Sequence, residues 1–266
     1  MTETTQRIDL PTVAGIAALA YVLTTLCHEG LGHGGACVLV GGHPTAWGAY
    51  YFDCDEDGLP SLAGRIVPAA GSTVNLILAV ILGLMVAADL KRPGRHGAGS
   101  VFLWLLFVVN AFTWAGYYLF SGVAGIGDWG EDGVLKTVSN PLVWRGVMAI
   151  GGMAVYVWLT RLAMRWLGCL TGDFKTARML SWTAYATGGV LAILIGLRNP
   201  EGWWIVIFSS MASSLGGTSG LLWGVRWARN PESSVEFSLR RNWLWIGAGI
   251  VAAALYAWYF GPTLKL

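Results

Sequence analysis

Cys27-His28-Glu29-Gly30-Leu31-Gly32-His33-Gly34-Gly35 places two imidazoles and a carboxylate within six residues, directly after the apolar run from Ala14 to Leu26. A charged side chain at the centre of a bilayer costs about 2.5–3.5 kcal/mol on insertion scales, so this grouping needs a compensating role. Zinc supplies one. In an H-E-x-x-H pattern, two His one helical turn apart offer ring nitrogens to a single ion. The Glu beside the first acts as general base on a water whose pKa the ion lowers toward about 7. Here the spacing is one residue longer, H-E-x-x-x-H. At about 100° per residue, positions five apart on a regular helix diverge by about 140°. Both His therefore reach one ion only where the helix bulges or breaks. A π-bulge absorbs one extra residue and favours functional sites, and Gly30 and Gly32 lower the cost of the distortion.

The elements that must position this cluster are membrane elements. Hydrophobic residues are 55% of the 266 and charged residues 12%, about half the roughly 25% of a soluble domain. Mean hydropathy is +0.57. A formal net charge of +2 leaves no electrostatic footprint for nucleic acid. The 37 Gly show no three-residue period, which excludes collagen, and four Cys are too few for a disulfide scaffold. The 15 Trp suit interfacial anchoring. Spans of about 20 apolar residues are expected near 11–41, 62–90, 100–125, 142–168, 177–197, 203–227 and 242–261. The fold class is thus an all-α polytopic membrane protein with about seven transmembrane helices, or six. The first stretch is too long for a simple span and should tilt, kink or partly re-enter. The sixth is the least certain, because Ser209-Ser210 and the run Ser213 to Gly220 are small and polar; such residues let helices approach closely in lipid.

Residues 1–10 lack a signal-peptide pattern and are expected to form a short cytoplasmic segment. Residues 11–130 form the metal-site membrane core, and 131–266 carry the additional spans. Between the first two spans, Thr45 to Phe52 is rich in strand-favouring aromatics and Asp53 to Gly58 resembles a turn. Residues 43–60 form either a short interfacial hairpin or a loop with aromatic anchors. Lys and Arg divide 12 to 5 between the two sides: Arg7, Lys91, Arg92, Arg95, Arg161, Arg165, Lys175, Arg178, Arg226, Arg229, Arg240 and Arg241 against Arg65, Lys136, Arg145, Arg198 and Lys265. By the positive-inside rule the N-terminus is cytoplasmic and the C-terminus outside.

His28-Glu29-Gly30-Leu31-Gly32-His33-Gly34 is similar to the H-E-L-L-G-H-G motif of the dipeptidyl-peptidase III metallopeptidases, which are soluble. Over roughly residues 20–130 the chain also resembles the site-2-protease-type intramembrane zinc proteases. Those place H-E-x-x-H on an early spanning helix, followed by a Gly-rich stretch (here Gly34 to Gly42). A small-residue and Asn stretch comes later (here Ala70-Gly71-Ser72-Thr73-Val74-Asn75-Leu76). The resemblance implies a zinc cofactor, His28 and His33 as ligands and Glu29 as general base. That family's third ligand is an Asp in an N-x-x-P-x-x-x-L-D-G type stretch, which does not occur here. The nearest analogue is Gly125-Ile126-Gly127-Asp128-Trp129-Gly130, which makes Asp128 the expected third ligand. His28 lies about 26 Å along the first span from Pro11, near the outer face, and Asp128 follows the outer end of the third span.

Other residues keep two readings. His43 competes as third ligand or is an interfacial polar residue; His96, beside Arg95, is expected to be solvated. Cys27 and Cys37 are small apolar residues or ligands, and Cys54 could pair with Cys37 in an oxidising compartment. Asn75 and Asn110 either hydrogen-bond each other between spans or contact substrate and oxyanion. Tyr117 and Tyr118 line the site or support the transition state.

The expected function is a membrane-embedded zinc metallopeptidase that hydrolyses peptide bonds of membrane-associated proteins with metal-activated water. Its partners are the bilayer and a membrane-protein substrate, which the hairpin could hold extended by strand addition. Two other classes stay open. One is a catalytically silent membrane subunit or scaffold with a structural metal site, assembled with other membrane subunits. The other is an ion-coupled transporter using Glu29 and the His pair, for which a repeat relating the halves is expected and none is visible.

Overall fold

The computed structural model describes residues 8–92, 96–228 and 237–266. Arg7, Arg95 and Arg229, three of the charges used for orientation, and residues 1–7 of the N-terminal segment lie outside the described residues.

The chain begins with α1 (Leu10–Leu26), a π-helical segment (Cys27–Gly34) and α2 (Gly35–Leu39), which follow one another without a break. Two strands follow, β1 (His43–Gly48) and β2 (Tyr51–Asp55), then α3 (Ala63–Asp89), α4 (Ala98–Ala124), α5 (Pro141–Thr171) and α6 (Phe174–Gly196). Five helical stretches are long and apolar enough to cross a membrane: Leu10–Leu39, Ala63–Asp89, Ala98–Ala124, Pro141–Thr171 and Phe174–Gly196. These lengths and compositions are those of an integral membrane protein.

The helix boundaries follow local chemistry. The Asp9 carboxylate accepts from the Thr12 amide at 3.0 Å and Pro11 stands in the first turn of α1. Asp173 accepts from the Thr176 amide at 2.8 Å to open α6. Helix α4 ends on Gly125, whose φ of 78° is left-handed and favours glycine.

The sixth expected span differs from expectation. Residues 203–227 are not one α-helix but a π-helical segment (Ile205–Gly216), a turn, α7 (Gly220–Trp223) and a 3-10 turn (Gly224–Ala228). Its run of Ser and Gly gives little α-helical preference, and other helices satisfy the displaced backbone. The Tyr156 hydroxyl donates to the Gly217 carbonyl at 2.7 Å and accepts from the Gly220 amide at 2.9 Å; the Ser181 hydroxyl donates to the Leu221 carbonyl. Irregular backbone at this depth is tolerated where protein buries it. The stretch expected as the seventh span forms α8 (Trp243–Tyr259), an apolar helix of 17 residues, shorter than the five.

Helix α4 is central: Trp104, Val108, Ala111 and Phe112 are almost wholly buried. Glycines set the closest crossings, as small residues do in lipid. Gly15 of α1 meets α8 at Trp245 and Gly249, and Gly122 of α4 lies against the α5 backbone at Ala149.

The stretch after the first span is a hairpin. β1 and β2 pair antiparallel from His43↔Asp55 to Gly48↔Tyr51 across a two-residue turn, with a bulge between Pro44 and Ala46. A third strand, β3 (Leu264–Lys265), which the sequence patterns did not suggest, pairs with β1 at Ala46 and Trp47. A Cys37–Cys54 disulfide joins α2 to β2. At the other end of α1, Ile8 bridges to Leu239 and Arg241 donates to Asp9 at 3.0 Å. The first described residues and the final strand therefore lie at opposite ends of the helical bundle.

Candidate metal centre

The H-E-x-x-x-H stretch falls in the π-helical segment Cys27–Gly34. There the backbone bonds run five residues apart, as from the Gly35 amide to the Gly30 carbonyl, so His33 stands one turn beyond His28 on the same face. The glycines serve another end than backbone conformation. None from Gly30 to Gly35 has a positive φ, but a Cβ would strike the Trp47 ring at Gly30, the α3 backbone at Gly71 from Gly32, and the Phe52 ring at Gly34. They let the hairpin and α3 close onto the segment.

His28 Nε2 and His33 Nε2 lie 3.2 Å apart. Asp128 Oδ2 is 3.3 Å from the first and 3.4 Å from the second. Zinc bonds to His nitrogen and carboxylate oxygen of about 2.0–2.2 Å in a tetrahedron put neighbouring donor atoms about 3.3–3.5 Å apart. The three donors form one triangular face of such a polyhedron, and among the described residues this is the group that could hold a metal ion.

Hydrogen bonds fix which ring atoms point inward. His33 Nδ1 faces the Val67 carbonyl at 2.8 Å and must donate to it. His28 Nδ1 faces Asn75 Oδ1 at 2.5 Å. The Asn75 orientation follows from a backbone carbonyl two steps away. Asn110 Nδ2 donates to Leu106 O at 2.8 Å and to Thr24 Oγ1 at 3.0 Å, so Asn110 Oδ1 accepts from Asn75 Nδ2 at 2.9 Å, which leaves Asn75 Oδ1 for His28. Both imidazoles therefore carry their proton on Nδ1 and turn the Nε2 lone pair to the triangle. Two lone pairs and a carboxylate oxygen at such separations repel one another unless a cation lies between them, and the donor set suits zinc. We expect Asn75→Ala to lower zinc affinity about 10–100-fold, the usual loss when the partner of a ligating His is removed, as read by competition with a chelating dye.

Asp128 follows two left-handed glycines, Gly125 (φ 78°) and Gly127 (φ 82°), and its loop is tied at several points. The Trp129 indole donates to Ser72 Oγ at 2.7 Å, Arg65 Nε to the Val134 carbonyl at 3.1 Å, and the Val134 amide to the Asp128 carbonyl at 2.9 Å. Arg145 donates to the carbonyls of Gly122 and Val123 and pairs with Glu131 at 2.8 Å.

Gly71 of α3 passes over both rings: a Cβ there would meet His33 Nε2 and His28 Nε2. Gly71→Ala should abolish zinc binding while Ala70→Gly leaves it intact, measured as metal per chain after purification. Tyr117 closes the other side, stacked on His28 with centroids 4.9 Å apart and planes at 20°.

Glu29 is 3% exposed, and its Oε2 has no hydrogen-bond partner among the described residues. It lines a cavity of about 1070 Å³ together with His33, Asp128, Tyr117, the hairpin residues Tyr51 to Cys54, and Ser213 of the sixth segment. Neither Asn75 nor Asn110 lines this cavity. Both amides are engaged behind His28, so they orient a ring where a substrate contact had been the alternative. His43 opens β1 as an exposed residue outside the donor group. His96 departs from the expected solvation: its side chain is 9% exposed, with Nδ1 3.5 Å from Asp89. Cys37 is in the disulfide and Cys27 is a half-buried thiol; neither belongs to the donor group. Nothing in the sequence marked Ser72, Trp129 and Arg145 as the residues that hold the Asp128 loop, since their bonds join segments distant along the chain.

Comparison with known protein families, curated proteins and solved structures finds no match for this chain.

Proposed function

We propose that this chain is a membrane-embedded zinc metallopeptidase of the site-2-protease type, cleaving peptide bonds of membrane-associated proteins. The observation that carries the reading is the triangle of His28, His33 and Asp128 donors with Glu29 buried beside it at a large cavity. In this reading His28, His33 and Asp128 hold one zinc ion, and the chain passes the bilayer seven times with a cytoplasmic N-terminus. Held by those side chains, zinc would supply Lewis-acid polarisation of the peptide carbonyl and would lower the pKa of a water toward neutrality.

The chain's own residues do the rest. Glu29 takes a proton from the attacking water and delivers it to the leaving nitrogen as the C–N bond breaks; the water oxygen stays on the acyl carbon. Asn75 and the Val67 carbonyl keep both imidazoles in the ligating tautomer. The cavity is lined by Tyr51 to Cys54 of β2, and β2 is an edge strand of the sheet, where an extended segment can pair.

The test is purified protein in proteoliposomes with a panel of single-span reporter polypeptides, products read by mass spectrometry. Cleavage at one bond, stopped by a zinc chelator and restored by zinc, is the expected result. Zinc-replete protein that leaves every reporter whole would overturn the peptidase reading in favour of a structural metal site.

A further inference from the structure

Beside Glu29 the structure has a second, smaller space of about 40 Å³. Its wall includes Thr25, Glu29, Tyr50, Ser213, Ser214 and Tyr256. It shares Glu29, Tyr50, Thr113, Tyr117, Ser209 and Ser213 with the large cavity, so the two spaces adjoin with Glu29 in the wall of both. On the other sides it is bounded by α1, α6 and the π-helical part of the sixth segment. Two of its wall atoms, Glu29 Oε2 and Ser214 Oγ, are buried and have no hydrogen-bond partner among the described residues; the two residues are 3% and 5% exposed. Buried polar groups in folded proteins are almost always paired, with protein or with ordered water. A water needs at least about 10–15 Å³ of such space and two to four polar partners. The chamber therefore has room for about three waters, and polar atoms on α1, the hairpin turn, the sixth segment and α8 to hold them.

We propose that this chamber is an internal water site that supplies Glu29. The proposal rests on the peptidase reading for its role but not for its existence. A substrate segment filling the large cavity displaces the solvent there. The chamber lies outside that path and keeps water in contact with the base. After each hydrolysis the oxygen leaves on the new carboxylate and the proton on the new amine, and the chamber refills the position. This gives a reason for the broken sixth span. An unbroken apolar α-helix would offer no orphaned hydroxyl at this depth, whereas the π-helical run of serines does.

The test is hydroxyl-radical labelling by brief X-ray pulses on the full chain in nanodiscs, which oxidises side chains touching bound water whether or not bulk solvent reaches them. Tyr21 and Tyr256 line the chamber and not the large cavity, and are 7% and 2% exposed. Both should be oxidised, while Phe112, 0% exposed and outside both spaces, should not. Ser214→Val, which fills the space and removes a hydroxyl, should bring Tyr256 down to the level of Phe112 with zinc per chain unchanged. Tyr21 and Tyr256 as unreactive as Phe112 in the wild type would overturn the proposal, and so would labelling that persists in a folded Ser214→Val chain. Should that variant not fold, the wild-type contrast decides alone. Zinc content and reporter cleavage are measured separately, so a dry chamber leaves the peptidase reading standing.

Discussion

Alanine at His28 or His33 should take bound zinc from about one ion per chain to none. Structural zinc sites bind with roughly 10–16 kcal/mol, and each of these rings is one of three protein donors. Losing one removes several kcal/mol, about a thousandfold or more in affinity, enough to lose the ion during purification. Either ring should be as critical as the other, because the three donor separations are nearly equal at 3.2, 3.3 and 3.4 Å. His43→Ala and His96→Ala are the matched controls, since neither residue belongs to the donor group. The measurement is elemental analysis of detergent-purified protein, with circular dichroism to show that the helices persist. Full zinc in both His28→Ala and His33→Ala would place the metal elsewhere and end the reading of this cluster as its site.

Glu29→Gln should separate binding from chemistry. Glutamine has nearly the same size and shape, and Glu29 is outside the donor triangle, so zinc per chain should stay near the wild-type value. The amide cannot take a proton from water, and removing a general base typically costs 10²–10⁴-fold in rate. Reporter cleavage should therefore fall by about that factor with unchanged product identity. Unchanged cleavage would show that another group acts as the base. Loss of zinc would show that Glu29 is a ligand.

Much of the first half of the site was legible because it is local. The extra residue in H-E-x-x-x-H conflicts with α-helical phase, and a π-helical segment resolves that conflict over Cys27–Gly34. The hairpin was legible from its aromatics as one of two readings, and the five long apolar helices from composition. What was not legible depends on register between distant segments. Asn75 and Asn110 were marked as a pair, but that Asn75 accepts from His28 follows only from how α3 and α4 lie against α1. Gly71 looked like one more small residue in a small-residue stretch, yet it is where α3 crosses the two imidazoles. The broken backbone of the sixth stretch, the least certain of the expected spans, was not legible because hydropathy averages over backbone geometry, and Tyr156 and Ser181 in other helices hold it open. His96 looked solvated beside Arg95, but its side chain is mostly buried, with Nδ1 close to Asp89 across the loop.

The chain of amides that runs from the Leu106 carbonyl through Asn110 and Asn75 to His28 has a consequence for biogenesis. A ribosome delivers the segment with His28, Glu29 and His33 to the membrane first, and α3, α4 and the Asp128 loop only afterwards. Until the third helix is in place, the first imidazole has neither its fixed proton position nor its carboxylate neighbour. A metal ion could therefore find all three donors only at a late stage of insertion, and a chain stalled after its first helix holds two histidines and a glutamate that the lipid disfavours.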